Sequence, residues 1–186
     1  MKTMFIGITG GSGSGKSTYC DLLSEALQEL NPVIVRTDQF FKWPLPKMIS
    51  PLTNEELDDF NHPNSLHIEK LLSHLQAFKQ SESQPQVILI EGIFTLQFEA
   101  IRELLDLAVF IELDSDERMY RRIKRNMTER GLELEEIGDY YVHAAKHREQ
   151  AHVLPTKTYA DLILNGNRLE GKAVDLVTGW VRAQFE

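Results

Sequence analysis

The stretch Gly10-Gly11-Ser12-Gly13-Ser14-Gly15-Lys16-Ser17-Thr18 decides how this chain is read. Its spacing is G-x-x-x-x-G-K-[ST], and the setting matters as much as the letters. The apolar run Met4–Thr9 precedes it, and residues 19–30 follow with Leu22, Leu23, Ala26, Leu27 and Leu30 at helical spacing before Asn31-Pro32. Strand, glycine loop and helix in that order make a phosphate cradle. The glycines let successive backbone N–H groups turn toward phosphate oxygens, and the helix adds the positive end of its dipole. In such a loop Lys16 reaches the outer phosphates and Ser17 ligates magnesium. A flexible Gly/Ser linker has no reason to end in Gly-Lys-Ser-Thr at a helix start. Residues 10–18 are therefore expected to hold the phosphates of a nucleoside triphosphate.

Working outward, short apolar runs alternate with helical patterns. Val33–Arg36, 87–90, 107–113 and 161–164 read as further strands, and a last helix runs from about Gly171. Five strands separated by helices predict an α/β protein of the P-loop NTPase fold, with a five-stranded, mostly parallel sheet covered by helices on both faces. Between Phe40 and Pro63 the pattern is interrupted by Pro44, Pro46, Pro51 and Pro63. That stretch reads as an ordered functional loop with one short helix over 54–60. Residues 66–78 are helical again, and 81–86 form a polar connector. Residues 114–130 and 133–153 read as two charged helices joined near Gly131, too polar for the core, which suits a mobile lid on a single domain spanning 1–186.

Composition limits the partners. The 186 residues are 42% hydrophobic and 26% charged, as in soluble globular chains, and the formal charge of -8 repels nucleic acid. The single Cys20 cannot form an intrachain disulfide, and no cleavage-site pattern follows the N-terminal apolar stretch, so a cytoplasmic location is expected. No apolar run approaches the roughly 20 residues of a membrane helix.

Ligands of parallel sheets collect beyond the carboxyl ends of the strands, where Asp38 and Glu91 stand. Asp38 suits a general base at an acceptor hydroxyl or a group that orients it, and Glu91 suits magnesium, directly or through water. Each also fits the plainer role of ending a strand. Arg118, Arg121, Arg122 and Arg125 share one helix face, with Lys124 and Arg130 nearby. Such a face can close on a triphosphate, or it can be a solvated surface paired with Asp114, Asp116, Glu117 and Glu129. His143 and His147 have zinc-binding spacing but no third ligand, and read as surface histidines. Trp43, Phe40, Phe41 and Phe60 suit either stacking on a substrate ring or pinning a loop.

Together these segments resemble the uridine kinase-like family of P-loop nucleoside kinases, the phosphoribulokinase/uridine kinase group that includes nicotinamide riboside kinases. Asp38-Gln39-Phe40-Phe41 is similar to the family's Asp-x-Phe-[Tyr/Phe] segment, and Phe60-Asn61-His62-Pro63 to its Phe-Asp-His-Pro. Ile90-Glu91-Gly92-Ile93, the run from Arg121 to Gly131, and Leu154-Pro155-Thr156-Lys157 through Asp161 match further segments. The resemblance implies ATP as donor, Mg2+, and γ-phosphoryl transfer to a small nucleoside-like acceptor. Uridine or cytidine lead, with nicotinamide riboside, pantothenate or a sugar as rivals; a regulatory ATPase or switch is the rival class. It implies catalytic roles for Asp38, Lys16, Glu91 and Arg122. Arg121 and Arg125 join residues 10–18 around the nucleotide, residues 165–167 border adenine, and Phe41, Asn61, His62 and Arg118 join Asp38 around the acceptor. The sequence departs from the family in three places. Asn61 replaces an Asp, the Tyr/Phe/His segment that grips pyrimidine has no counterpart between Leu75 and Gln86, and Glu129-Arg130-Gly131-Leu132-Glu133 has one arginine fewer. Phe41-Lys42 and the short connector look closer to nicotinamide riboside kinases.

Overall fold

Strand β1 (Met4–Thr9) is buried at every position, so both of its faces need cover. The computed structural model, which describes residues 3–80 and 85–186, supplies it from two sides. Met4, Ile6 and Ile8 pack with Tyr19, Cys20, Leu23 and Leu27 of the first helical segment and with Val177 and Val181 near the C-terminus. Phe5, on the opposite face, packs with Leu71, Leu75, Ile88, Ile90 and Ile101. This period-two split across a doubly covered strand is what a parallel α/β sheet requires. The connector read over 81–86 falls largely outside the described residues.

The elements follow as α1 (Lys16–Ala26), β2 (Val33–Arg36), β3 (Lys47–Ile49), β4 (Glu56–Asp58), α2 (Ile68–Gln80), β5 (Val87–Glu91), α3 (Glu99–Arg102), β6 (Leu107–Glu112), α4 (Ser115–Arg130), α5 (Leu134–Tyr140), α6 (Lys146–His152), β7 (Leu162–Asn165) and α7 (Lys172–Arg182). The main sheet has the order β2-β5-β1-β6-β7, and every pairing in it is parallel. β1 lies at the centre, so the loop that leaves it emerges at the middle of the sheet's carboxyl edge. Tyr19 Oη donates to the Ala173 carbonyl at 2.7 Å and ties α1 to α7. Among the described residues, no helix is long and apolar enough to cross a membrane.

Four expectations are corrected. Residues 54–60 are not helical: Glu56–Asp58 pairs antiparallel with Lys47–Ile49, matching Leu57 to a buried Met48. Asn54 sits at φ 60°, the left-handed region, and ends a turn over residues 51–53 rather than starting a helix, its amide donating back to the Ser50 carbonyl at 3.0 Å. Ser50 opens that turn, its Oγ accepting from the amides of Leu52 and Thr53 at 3.2 Å each. Second, residues 133–153 are not one regular helix, because α5 passes into α6 through a π turn at Tyr141–Ala145. Third, this region is less polar in its packing than its charge implies. Ile137, Ala144, Ala145 and Val153 are buried, as are Arg118 and Asn126 of α4. The first helix also stops earlier than read, at Ala26, with a 3-10 turn at Gln28–Leu30 completing it.

Candidate active site

The sheet register brings the expected groups together. Glu91, the last residue of β5, pairs laterally with Ile8 of β1 on one side and Arg36 of β2 on the other. The phosphate loop leaves β1 just beyond Ile8, and Asp38 follows β2 in a 3-10 turn at Thr37–Phe40. Two strand spacings, about 10 Å, thus separate the loop's strand from that of Asp38, with Glu91 between them. All three open on one cleft of about 1410 Å³, whose walls include Lys16, Ser17, Thr18, Asp38, Asn61 and Glu91.

The loop's shape is set locally. Gly15 caps α1 at φ 104° and has no side chain to occupy the first-turn amides, which leaves them for an anion. Gly13, at φ 85°, lies so close to α4 that a Cβ there would stand 2.5 Å from the Arg118 carbonyl oxygen. Lys16 Nζ donates to the Gly11 carbonyl at 3.1 Å and so lies folded along the loop. Arg125 reaches Ser12 Oγ at 3.4 Å. Arg121 donates to the Gly166 carbonyl at 3.2 Å and to Asn167 Oδ1 at 2.5 Å, joining α4 to the segment after β7.

The charges in the cleft are poorly solvated. Burial pushes the Glu91 carboxyl above its ordinary 4.5, while Lys16 opposes that and nearby Asp38 adds to it. The nearest cation in ion-pair reach, Arg36 Nε, is 3.9 Å away. Burial likewise lowers Lys16, with Glu91 and Asp38 pulling it back up. Arg122 is lowered by burial too, its Nε is buried without a hydrogen-bond partner, and its guanidinium stands 5.7 Å from the Tyr140 ring centre. A buried carboxylate beside the Ser17 hydroxyl is a hard oxygen donor set short of positive charge, and it fits magnesium. The orphaned Arg122 Nε, in the same cleft and beside the Tyr140 ring, fits an incoming anion.

The opposite wall is built from distant segments. Asn61 is 9% exposed and its Nδ2 donates to Tyr140 Oη at 3.1 Å. The Tyr140 hydroxyl also accepts from the Phe60 amide at 3.4 Å and donates to the Asp58 carbonyl at 3.0 Å. Burial raises the phenol above 10.0, so it stays a neutral donor at physiological pH. Phe60 meets Phe41, Trp43 and Tyr140 edge-to-face at 5.8, 6.1 and 6.4 Å. Phe41 and Phe60 line the cleft, whereas Trp43 is 73% exposed and outside it. Asp59 is fully buried, with Arg148 Nε and Nη2 each 2.8 Å from its Oδ2.

Two residues expected at the acceptor stand elsewhere. Arg118 does not line the cleft: it is buried against Glu149 with contacts of 2.5 and 2.7 Å, and its Nε donates to the Leu113 carbonyl at 2.9 Å. Shared helix face did not mean shared partner. His62 caps a 3-10 turn, its Nδ1 accepting from the Asn64 amide at 3.0 Å, and its ring meets His152. His143 Nδ1 pairs with Ser50 Oγ at 3.1 Å. Sequence reading passed over Arg36, Tyr140, Asp59 and Arg148. For Arg36 the available signal was its place at the end of β2; the others have partners about 80 residues away or more.

Residues 56–171, which carry Glu91, the arginines of α4 and the Tyr140 wall, match the phosphoribulokinase / uridine kinase family. The chain belongs to that family. As a member it is a phosphotransferase acting on an alcohol acceptor. It is 31% identical over 205 residues to the uridine kinase of Clostridium novyi, covering 98% of this chain and 96% of that one. To the chloroplastic uridine/cytidine kinase UKL1 of Arabidopsis thaliana it is 30% identical over 207 residues, covering 97% of this chain and spanning 41% of the plant protein's length. A solved structure described as a possible uridine kinase from Bacillus stearothermophilus superposes with a TM-score of 0.58 at 16% identity, covering 88% of this family member and 89% of that chain. A putative fructose transport system kinase from Silicibacter sp. TM1040 gives 0.53 at 19% identity over 87% and 89%. Both likenesses concern the fold.

Proposed function

We propose that this enzyme transfers the γ-phosphoryl group of ATP to a hydroxyl of a nucleoside, with uridine or cytidine as the acceptor. The observation that carries this reading is the lateral alignment of Ile8, Glu91 and Arg36, which sets the phosphate loop and Asp38 on either side of one carboxylate in one cleft. Asp38 accepts the proton of the attacking hydroxyl, whose oxygen bonds to the γ-phosphorus as the bond to the departing ADP oxygen breaks. Lys16 and the loop amides hold the β- and γ-phosphates, while Arg121, Arg122 and Arg125 stabilise charge on the transferring group. Ser17 and Glu91 would hold Mg2+, which supplies charge neutralisation on the phosphate oxygens. Asn61 and Tyr140 face the acceptor.

A second acceptor is nicotinamide riboside. Aromatic Phe41, Phe60 and Tyr140 share the cleft with Glu55, Asp58, Glu136 and Asp139, a combination suited to a cationic ring. An ADP-release assay with uridine, cytidine, nicotinamide riboside, pantothenate and a sugar separates these readings by kcat/KM. Uridine or cytidine is expected to lead; no acceptor raising turnover above the ATP-only background would favour a regulatory ATPase instead. Asp38→Asn should retain nucleotide binding and lose phosphotransfer by about 10²- to 10⁴-fold. Unchanged activity in that variant removes Asp38 from the chemistry.

A further inference from the structure

Arg148 and Glu149 are adjacent on α6, and successive helical side chains diverge by about 100°. They reach opposite parts of the site. Glu149 makes its two short contacts with Arg118, which is itself fixed to the Leu113 carbonyl. That guanidinium lies directly behind the phosphate loop: a Cβ on Gly11 would stand 2.1 Å from Arg118 Nη1 and 3.1 Å from Glu149 Oε1. Gly11 is also the residue whose carbonyl receives Lys16 Nζ. Arg148 meanwhile grips Asp59 through Nε and Nη2, and Asp59 Oδ1 accepts from the Asn61 amide at 3.3 Å. One turn of α6 thus stands behind both the donor loop and the acceptor-side asparagine.

We infer that α6 is a two-sided brace, in which Glu149 positions the phosphate loop through Arg118 and Arg148 positions Asn61 through Asp59. The inference rests on the kinase reading above for its acceptor half. Neither pair touches the reactants, so both act by holding groups that do. Buried ion pairs tolerate joint replacement better than loss of one partner, because a lone buried charge has nothing to offset its desolvation. The charge pairs in this chain are therefore testable without stranding a charge.

The experiment uses two double variants of the full chain, Arg118→Gln with Glu149→Gln and Asp59→Asn with Arg148→Gln. MgADP affinity is measured by calorimetry and uridine KM by turnover. The first variant should weaken MgADP about tenfold and leave uridine KM within about twofold; the second should do the reverse. Should a neutral pair fail to fold, the charge-retaining Glu149→Asp and Arg148→Lys are expected to show the same division at about threefold. Both parameters moving together in each variant, or neither moving in either, overturns the brace. A wild-type chain that binds MgADP but does not phosphorylate uridine refutes the uridine reading alone, since the calorimetric arm still decides the Glu149 half.

Discussion

The two walls of the cleft are made by different means. On the donor side the binding surface is backbone, shaped by glycines within nine consecutive residues and by the strand and helix on either side. On the acceptor side it is side chains, brought together from the turn after β2, the β3–β4 hairpin and the α5–α6 helix. A backbone surface tolerates no added atoms, whereas a side-chain surface fails by losing them. Gly11→Ala should have the larger effect. Its new methyl meets a guanidinium that Glu149 and Leu113 prevent from moving, and MgADP affinity should fall about 100-fold. Near-normal affinity in a calorimetric titration would show that the loop is softer than its packing implies. Tyr140→Phe, which subtracts a single oxygen, should raise acceptor KM about tenfold, because the hydroxyl's three hydrogen bonds, to Asn61, Phe60 and Asp58, are lost together. MgADP affinity should not change; if it does, the walls are not independent.

The smallest effect concerns Glu91, which lies between the walls. Its folded carboxyl is raised above 4.5 by burial, so the folded chain binds that proton more tightly than the unfolded chain. Across the window from 4.5 up to the raised value, this group's contribution to stability increases as pH falls, and at neutral pH burial of its charge counts against the fold. Activity runs the other way, because only the ionised carboxylate holds a cation. Comparing melting temperatures of wild type and Glu91→Gln across pH 4 to 7 should give a shallower dependence in the variant, by a few degrees at most. An identical slope removes Glu91 from the titration.

The same contrast explains what was legible in the sequence. The donor wall could be read because its signals are local: an apolar run, glycine spacing and a helical periodicity within residues 4–30. The strand ends gave Asp38 and Glu91 for a related reason, since parallel topology fixes which edge carries ligands. The acceptor wall was read incompletely. Leu57 and Phe60 stand three apart and imitate a helix, and only the pairing of Leu57 with Met48 reveals a strand. Tyr140 carries no local mark, because Asn61 is 79 positions away. Arg118 was misassigned for the complementary reason. Periodicity says which residues share a side of α4, but burial against Glu149, 31 positions on, decides which of them meets solvent.

The π turn at Tyr141–Ala145 has its own consequence. A π turn closes i→i+5 rather than i→i+4 bonds, so it takes up one residue more than a regular α turn. The aim of Arg148 and Glu149 depends on that wide turn: the same residues wound as regular α-helix throughout would carry both side chains round by about 100°. The width of the turn between Tyr140 and Lys146 is therefore itself a functional quantity: a helix of equal length and even winding would be mistimed, like a gear with its teeth cut to the wrong pitch.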